Sequence, residues 1–153
     1  MGHDATPWAA AVDLGGSKIL SVVADAHGKI ISRDLRETLA AQGPEAVIRA
    51  ILGSLRQVIA KAGVKASQIV GIGLGAPGVL SPETGVVFTS PNLPGWQDVP
   101  LRDIVAREMG LPTWLINDAK AAAPGRVLLR GRPEYPQFHL RYHQHRYRRR
   151  YRD

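Results

Sequence analysis

The first 35 residues alternate short apolar runs with turn-forming residues. One β-rich run covers residues 8–13 and is followed by Gly15-Gly16, a second covers 17–24, and a third covers 29–35 after an Asp-Ala-His-Gly turn. Short β-rich runs separated by glycine-containing turns are typical of consecutive antiparallel strands. The pattern therefore predicts a three-stranded meander at the start of the chain.

The spacing of apolar residues changes between Pro44 and Ala62, where they recur every three or four residues. This period places them on one face of an amphipathic helix. Proline suits the first turn of a helix, and Gly63 follows the segment as a C-terminal stop. We therefore predict a helix over 44–62 with an apolar face formed by Val47, Ile48, Ile51, Leu55, Val58 and Ile59.

Glycine and proline punctuate the middle of the chain. The apolar run 69–74 predicts a buried strand, and it leads into a Gly-Ala-Pro-Gly turn at 75–78. The segment 81–100 is rich in proline and glycine, so we predict a loop there with one short strand at 86–88.

A second helix is predicted over 101–109, a last strand over 113–116, and a third helix that begins after Asp118 and runs through 119–123. The order of elements is βββ-α-β-α-β-α, which indicates the α/β class. Alternating strands and helices also allow a flavodoxin-like sheet. The opening meander favours the N-terminal lobe of an actin-like ATPase (ribonuclease H-like) domain.

Length and composition indicate one domain. The chain has 153 residues, 44% hydrophobic and 22% charged, and no cysteine. It can therefore form neither a disulfide nor a thiolate metal site. The start shows no basic segment followed by a long apolar run, and no apolar stretch reaches the length of a membrane span. We expect a cytoplasmic protein with no membrane partner.

The charge is distributed unevenly along the chain. Residues 1–123 contain 11 Lys plus Arg and 11 Asp plus Glu, whereas 124–153 contain nine arginines against two acidic residues and account for the net charge of +7. All four tyrosines also lie in 124–153. We therefore predict an N-terminal leader at 1–8, a folded domain at 9–123 and a basic, non-native tail at 124–153.

The segment between the first two strands has the residue types of a phosphate-binding turn. Glycine lets backbone N–H groups approach a phosphate, and a hydroxyl and an ammonium group can add further contacts. An aspartate at the strand end can help to hold Mg²⁺, which prefers one or two carboxylates plus phosphate oxygens. An ordinary Gly-Gly hairpin with a solvated Asp and Lys fits the same residues. The candidates are Asp13, Gly15, Gly16, Ser17 and Lys18.

Two further segments are candidates for sugar binding. The glycines around Gly75 and Ala76 either allow close helix packing or form a backbone wall for a sugar ring. The segment Ser-Pro-Asn-Leu-Pro-Gly-Trp at 90–96 is either a rigid surface loop or a support for Asn92, whose amide can donate to and accept from a sugar hydroxyl.

Asn117 and Asp118 follow the last predicted strand. Asp118 can simply cap the next helix. However, the carboxyl ends of parallel strands meet at the ligand-binding edge of α/β sheets. There Asp118 could accept the proton of an attacking hydroxyl while Asn117 holds its neighbours.

Taken together and in this order, the four motifs resemble the ROK sugar kinases, and Asn-Leu-Pro-Gly-Trp looks most like the glucokinases of that family. The resemblance covers residues 9–123. It implies an enzyme that uses Mg²⁺ and ATP to phosphorylate the 6-hydroxyl of glucose, with another hexose (fructose, N-acetylglucosamine or N-acetylmannosamine) as the alternative. It also implies a parent protein that is a homodimer or homotetramer.

The resemblance implies a role for each matching residue. Asp118 would be the catalytic base, and Asn92 and Asn117 would hold the sugar beside Gly75 and Ala76. The turn from Asp13 to Lys18 would form the first phosphate segment, with Asp13 acting on Mg²⁺ indirectly. Lys120 departs from the family, which usually has a neutral residue there, and a cation beside Asp118 would favour its charged form.

Two absences from the sequence bear on the branch of the family. ROK repressors carry a helix-turn-helix ahead of the phosphate segment, and only 12 residues precede Asp13 here, which favours the kinase branch. The family's second domain, with its adenosine site and its Cys/His zinc site, has no counterpart in the sequence after Ala123.

The tail after Ala123 has two interpretations. Arginines interleaved with aromatic residues suit a nucleic-acid-binding segment. A shifted reading frame explains the same residues, because moving CGN arginine codons by one base produces glycine and other small residues typical of the family's continuation. We favour the frame shift, expect no specific nucleic-acid partner, and expect the chain as sequenced to be an inactive fragment.

Overall fold

The computed structural model describes residues 7–117, which form a five-stranded mixed sheet, a small three-stranded sheet and two α-helices. In chain order the elements are β1 Trp8–Leu14, β2 Lys18–Asp25, β3 Ile30–Glu37, α1 Pro44–Ala62, β4 Ile69–Ala76, β5 Val79–Ser81, β6 Val86–Thr89, β7 Gln97–Val99, α2 Leu101–Met109 and β8 Thr113–Asn117. Neither described helix combines the length and the hydropathy that crossing a membrane requires.

The main sheet has the strand order β3-β2-β1-β4-β8. Strands β1, β2 and β3 form the predicted antiparallel meander, and β4 and β8 join β1 in parallel. Parallel neighbours need a crossover connection, and α1 and α2 lie in the two crossovers. The predicted α/β class and the N-terminal lobe of an actin-like ATPase fold are confirmed, although the structure has more short strands between β4 and α2 than the predicted order.

Helix α1 packs its apolar stripe against one face of this sheet. Val47, Ile51, Leu55 and Val58 are fully buried, as the helical period predicts. The sheet meets them with every second residue of its strands, because successive strand residues point to opposite faces. The buried strand residues facing the helix include Ala10, Val12, Leu14, Ile19, Val23, Ile72, Leu74 and Leu115.

A polar network joins the same helix to β2 and β3; we call it the Asp34 network. The Asp34 carboxylate accepts hydrogen bonds from Arg36 Nε at 2.8 Å and from Ser54 Oγ at 2.7 Å. The Ser54 oxygen lies 2.7 Å from Ser21 Oγ, and both serines are fully buried. Arg36 also lies against Gly53, where an added Cβ would stand 2.8 Å from Arg36 Nη1. The two buried serine hydroxyls of this network thus each have a hydrogen-bond partner, as burial requires.

The second sheet differs from the prediction for 81–100, which was a loop with a single strand at 86–88. Strands β5, β6 and β7 form an antiparallel sheet in chain order. Val87, which is fully buried, pairs with Leu80 on one side and with Val99 on the other. Strands of three or four residues are too short to show alternation, and the prolines between them resemble loop signals.

Strand β4 is also longer than predicted. It continues through Ala76, although the Gly-Ala-Pro-Gly pattern predicts a turn from Gly75. Gly75 pairs with Asp13 of β1 and with Ile116 of β8, so strand neighbours on both sides extend β4 by two residues. The tighter turn begins at Pro77-Gly78, where Gly78 has a φ of 97°.

Candidate functional site

The register of the three parallel strands brings separate motifs to one edge of the sheet. Asp13 at the end of β1 pairs with Gly75 of β4, which pairs with Ile116 of β8. One step further, Ala76 pairs with Asn117. Carboxyl ends of parallel strands form the usual ligand edge of an α/β sheet. We call this region the carboxyl edge.

At the carboxyl edge, the predicted site residues are divided between the two faces of the sheet. Asp13 and Gly75 share one face, and Lys18 lies on that face because it is two residues from Leu20, the partner of Asp13. Ala76 and Asn117 belong to the opposite face, where Ala76 is buried in the core. Asp13 and Lys18 thus lie on the face of the sheet opposite to Asn117.

The turn between β1 and β2 is the predicted phosphate segment. The Gly15 N–H donates to the Lys18 carbonyl at 2.9 Å, so this amide closes the hairpin and does not face outward. An added Cβ on Gly15 would stand 3.0 Å from the same carbonyl oxygen. Both glycines of the turn are therefore required for close backbone approach, Gly15 within the hairpin and Gly16 against a second loop.

Gly16 packs against Asn92. An added Cβ on Gly16 would stand 3.0 Å from Asn92 Cβ and 3.4 Å from the Asn92 carbonyl oxygen. The predicted phosphate segment is therefore in contact with residues 90–96, the predicted sugar-binding segment, which we call the sugar loop. Asn92 is exposed, whereas Leu93 and Trp96 of the same loop are buried and anchor it.

Lys18 lies near Glu37, with 3.9 Å between Lys18 Nζ and Glu37 Oε1. Both side chains are more than half exposed, and ion pairs of this kind contribute little. An anionic ligand at the turn can therefore take the Lys18 ammonium away from Glu37 at small cost. The geometry leaves Lys18 available for the phosphate contact that the sequence predicts.

Asn117 holds the backbone of the turn that follows β4. Its Nδ2 donates to the Gly78 carbonyl at 2.6 Å. Gly78 in turn packs against Thr89 and Ser90, where an added Cβ would stand 2.8 Å from Ser90 Cβ. Asn117 therefore links the end of β8 to the base of the sugar loop, and its direct contact with a sugar stays a prediction.

Thr38 is a residue of the site that the sequence did not reveal. It follows β3, is fully buried, and donates from Oγ1 to the Gly15 carbonyl at 2.7 Å. Its N–H donates to the Ser17 carbonyl at 2.9 Å. A threonine after a strand gives no local signal of a bond to a turn 23 residues earlier in the chain.

Asp118, Lys120 and the third predicted helix lie outside the residues that the structure describes, and so does the tail 124–153. The proposed catalytic base therefore stays a prediction. In the sequence Asp118 directly follows Asn117, the last residue of β8.

Within residues 7–117, no three His, Asp or Glu side chains come together to cage a metal ion. Asp13 alone of the predicted phosphate segment carries a carboxylate, and it stands at the carboxyl edge. Mg²⁺ binds through one or two carboxylates when phosphate oxygens complete its shell. The donor set fits an ion shared with a phosphate ligand rather than an ion caged by protein.

Known proteins share the sequence pattern of this chain. The sequence profile of the ROK family matches residues 9–137, and thus runs past the change of composition after Ala123. A glucokinase of Thermotoga maritima is 39% identical over 114 residues, which is 74% of this chain and 34% of that protein. A xylose repressor of Caldicellulosiruptor bescii is 33% identical over 114 residues, which is 74% of this chain and 28% of that protein.

The same relationship holds for solved structures. A ROK family glucokinase from Streptomyces griseus, in complex with glucose and AMPPNP, is 32% identical with a TM-score of 0.67, and the match covers 76% of this chain and 35% of that one. The chain spans about a third of the length of the curated relatives it matches. Fold, motif order and sequence similarity agree, and this chain belongs to the ROK family.

Proposed function

We propose that this chain carries the sugar-binding and first phosphate-binding parts of an ATP-dependent hexose kinase, with glucose as the substrate. The observation that carries the proposal is the contact between Gly16 and Asn92 at the carboxyl edge. A kinase must hold a phosphate and a hydroxyl acceptor side by side, and this contact joins the two segments with those predicted roles.

Each residue has a definite part in the proposed reaction. The turn binds phosphate oxygens through the Gly16 N–H, the Ser17 hydroxyl and the Lys18 ammonium, since the Gly15 N–H already donates to the Lys18 carbonyl. Asn92 orients a sugar hydroxyl, and Asp118 accepts its proton as the hydroxyl oxygen bonds to the terminal phosphorus of ATP. The bond between that phosphorus and the bridging oxygen breaks, and ADP leaves with the bridging oxygen. Asp13 would help to hold Mg²⁺, and the ion would supply positive charge to offset the phosphate oxygens.

The choice of glucose rests on similarity to proteins of that activity. Glucokinases are among the relatives, and the Streptomyces griseus enzyme was solved with glucose and AMPPNP. A xylose repressor matches the same share of the chain, so the shared fold serves more than one function in the family.

Binding is the most direct test on the 153-residue chain. We expect glucose to shift the backbone amide NMR signals of Gly16, Gly75 and Asn92, and inorganic tripolyphosphate to shift those of Gly15–Lys18. Galactose and mannose are titrated in the same way, so that their binding can be compared with that of glucose. Asn92→Ala should weaken glucose binding about tenfold, the loss expected for one hydrogen-bonding side chain.

Gln57→Ala is the matched control, because Gln57 is an exposed amide on α1, away from the carboxyl edge. Glucose binding should be the same in this variant as in the wild type. Absence of any glucose-dependent shift at the carboxyl edge of the folded chain would contradict the proposed function.

A further inference from the structure

Thr38 is a fully buried polar residue at the junction between β3 and the following loop. The next residue, Leu39, has a φ of 62°, so the chain turns sharply here. Thr38 has two hydrogen-bond donors, its backbone N–H and its side-chain hydroxyl, and both donate to the turn between β1 and β2. Thr38 therefore connects the end of β3 to the predicted phosphate segment.

The two bonds of Thr38 determine how that turn presents its amides. The described part of the chain has no cis peptide bond, so the C=O of each residue points opposite to the N–H of the next one. Thr38 Oγ1 donates a hydrogen bond to the Gly15 carbonyl at 2.7 Å. The Gly16 N–H therefore points away from the Thr38 hydroxyl.

The Gly16 amide is the group that matters most in this turn. The Gly15 N–H is used by the Lys18 carbonyl, and the Gly16 backbone lies against Asn92 of the sugar loop. A small rotation of the peptide group between Gly15 and Gly16 would change the orientation of the Gly16 N–H bond. It would also disturb the contact with Asn92. The Thr38 hydroxyl opposes that rotation.

We infer that Thr38 is a positioning residue, which aims the Gly16 amide at a phosphate group beside the sugar loop. The inference rests on the proposed function, and it adds a residue that does not itself touch either substrate. Thr38 acts through Gly15, because its hydroxyl donates to the Gly15 carbonyl.

The test compares variants of the 153-residue chain with inorganic tripolyphosphate as the probe. Thr38→Val removes the hydroxyl and keeps the shape and the backbone N–H bond to Ser17. Thr38→Ser keeps the hydroxyl. We expect Thr38→Val to raise the dissociation constant for tripolyphosphate about tenfold and to reduce the shift of the Gly16 amide, and Thr38→Ser to stay near the wild type.

Ser54→Ala is the control for a merely structural loss. Ser54 is equally buried and hydrogen-bonded, but it belongs to the Asp34 network. We expect it to lower the melting temperature without changing tripolyphosphate binding. If Thr38→Val does not fold, Thr38→Ala is compared with Thr38→Ser in the same assay.

The outcomes separate the inference from the function on which it rests. Equal affinities and equal Gly16 shifts in the wild type and in Thr38→Val would overturn the positioning role. The same loss of binding in Ser54→Ala would also overturn it, since the effect would then follow stability. If the folded wild type gives no shift at Gly16, the proposed phosphate site itself fails, and the role of Thr38 fails with it.

Discussion

At the residue scale, the site depends on positions where backbone from two segments meets. Gly16, Gly75 and Gly78 lie at or beside the carboxyl edge, but they differ in what surrounds them. At Gly16 an added Cβ would meet Asn92. At Gly75 it would have only the Val12 carbonyl oxygen nearby, 3.6 Å away. At Gly78 it would meet the backbone of Thr89 and Ser90. Substitution should therefore have a different effect at each glycine.

Gly16→Ala should disturb the contact between the phosphate segment and the sugar loop. The new Cβ would stand 3.0 Å from Asn92 Cβ, so the loop must move by a few tenths of an ångström. We expect a loss of about 1 kcal/mol in the free energy of unfolding and a change in the Asn92 amide signal. Gly73→Ala is the control, because nothing lies within 4 Å of its added Cβ. An unchanged Asn92 signal in Gly16→Ala would contradict the contact.

Gly78→Ala should be among the most destabilising single changes at the site. Gly78 has a φ of 97°, and its added Cβ would stand 2.7 Å from Ser90 Cα. Gly43 has a nearly equal φ of 91° with open space around the added Cβ, so Gly43→Ala reports backbone strain, on the order of 1–3 kcal/mol, without a steric clash. We expect Gly78→Ala to cost at least about 2 kcal/mol more in urea unfolding. Equal losses in the two variants would show that the packing on Ser90 is loose.

At the scale of elements, α1 is held to the meander by polar bonds as well as by its apolar stripe. Ser32 Oγ donates to the Val58 carbonyl at 2.8 Å, and Lys61 Nζ donates to the Arg33 carbonyl at 2.8 Å. The Asp34 network adds a carboxylate that is 13% exposed. These bonds fix the helix on β3 because each needs one particular register between them.

The Asp34 network predicts a pH dependence of stability. Burial alone would raise the pKa of Asp34, but hydrogen bonds from Arg36 and Ser54 and the charges of Arg36 and Lys61 outweigh it and lower the pKa below its ordinary value of 3.8. The stabilisation is therefore complete above that value and is lost as pH falls below 3.8 through the lower folded pKa.

The measurement is the urea unfolding free energy from pH 7 to pH 2 for the wild type and Asp34→Asn. We expect the difference between the two curves to shrink below about pH 4, because a protonated Asp34 no longer attracts Arg36. The pKa of Asp25 is also lowered, by the N–H groups of Lys29 and His27 with burial opposing them, so Asp25→Asn provides the comparison for acid effects outside the network. A constant difference between wild type and Asp34→Asn at all pH values would contradict the assignment.

At the scale of the whole molecule, the chain supplies part of a longer family pattern. The polypeptide as sequenced corresponds to about a third of its curated relatives. Phosphoryl transfer depends on positioning both substrates and stabilising charge on all sides. We therefore expect the 153-residue polypeptide to show no turnover of glucose with ATP in a coupled assay for ADP. Glucose phosphorylation that disappears in Asp118→Asn would prove this expectation wrong.

The composition break after Ala123 predicts a feature of the gene. If the tail results from a frame shift, the nucleotide sequence near codons 123–124 will show a second open frame. That frame will continue into family-like residues and a Cys-containing zinc motif. Sequencing the locus is the measurement. A single frame that continues unbroken through residue 153, with no family-like sequence in the other frames, would support a genuine basic tail.

The sequence by itself determined the local elements and the motif order. Helix α1 begins at Pro44 and ends at Ala62, and α2 covers Leu101–Met109, both as predicted. These bounds could be predicted because the apolar period and the Pro or Gly at a helix end are signals between residues close together in the sequence. The meander and the four motifs likewise follow from neighbouring residues, and they were enough to indicate the ROK family.

Only the tertiary structure decided which of these residues meet. The strand register aligned Asp13 with Gly75 and Ala76 with Asn117, and loop packing placed Gly16 against Asn92. It also brought Thr38 to Gly15 and Asn117 to Gly78, which is 39 residues away in the chain. Such contacts depend on how whole faces of helices and strands pack together, and no local period or propensity of the chain encodes them.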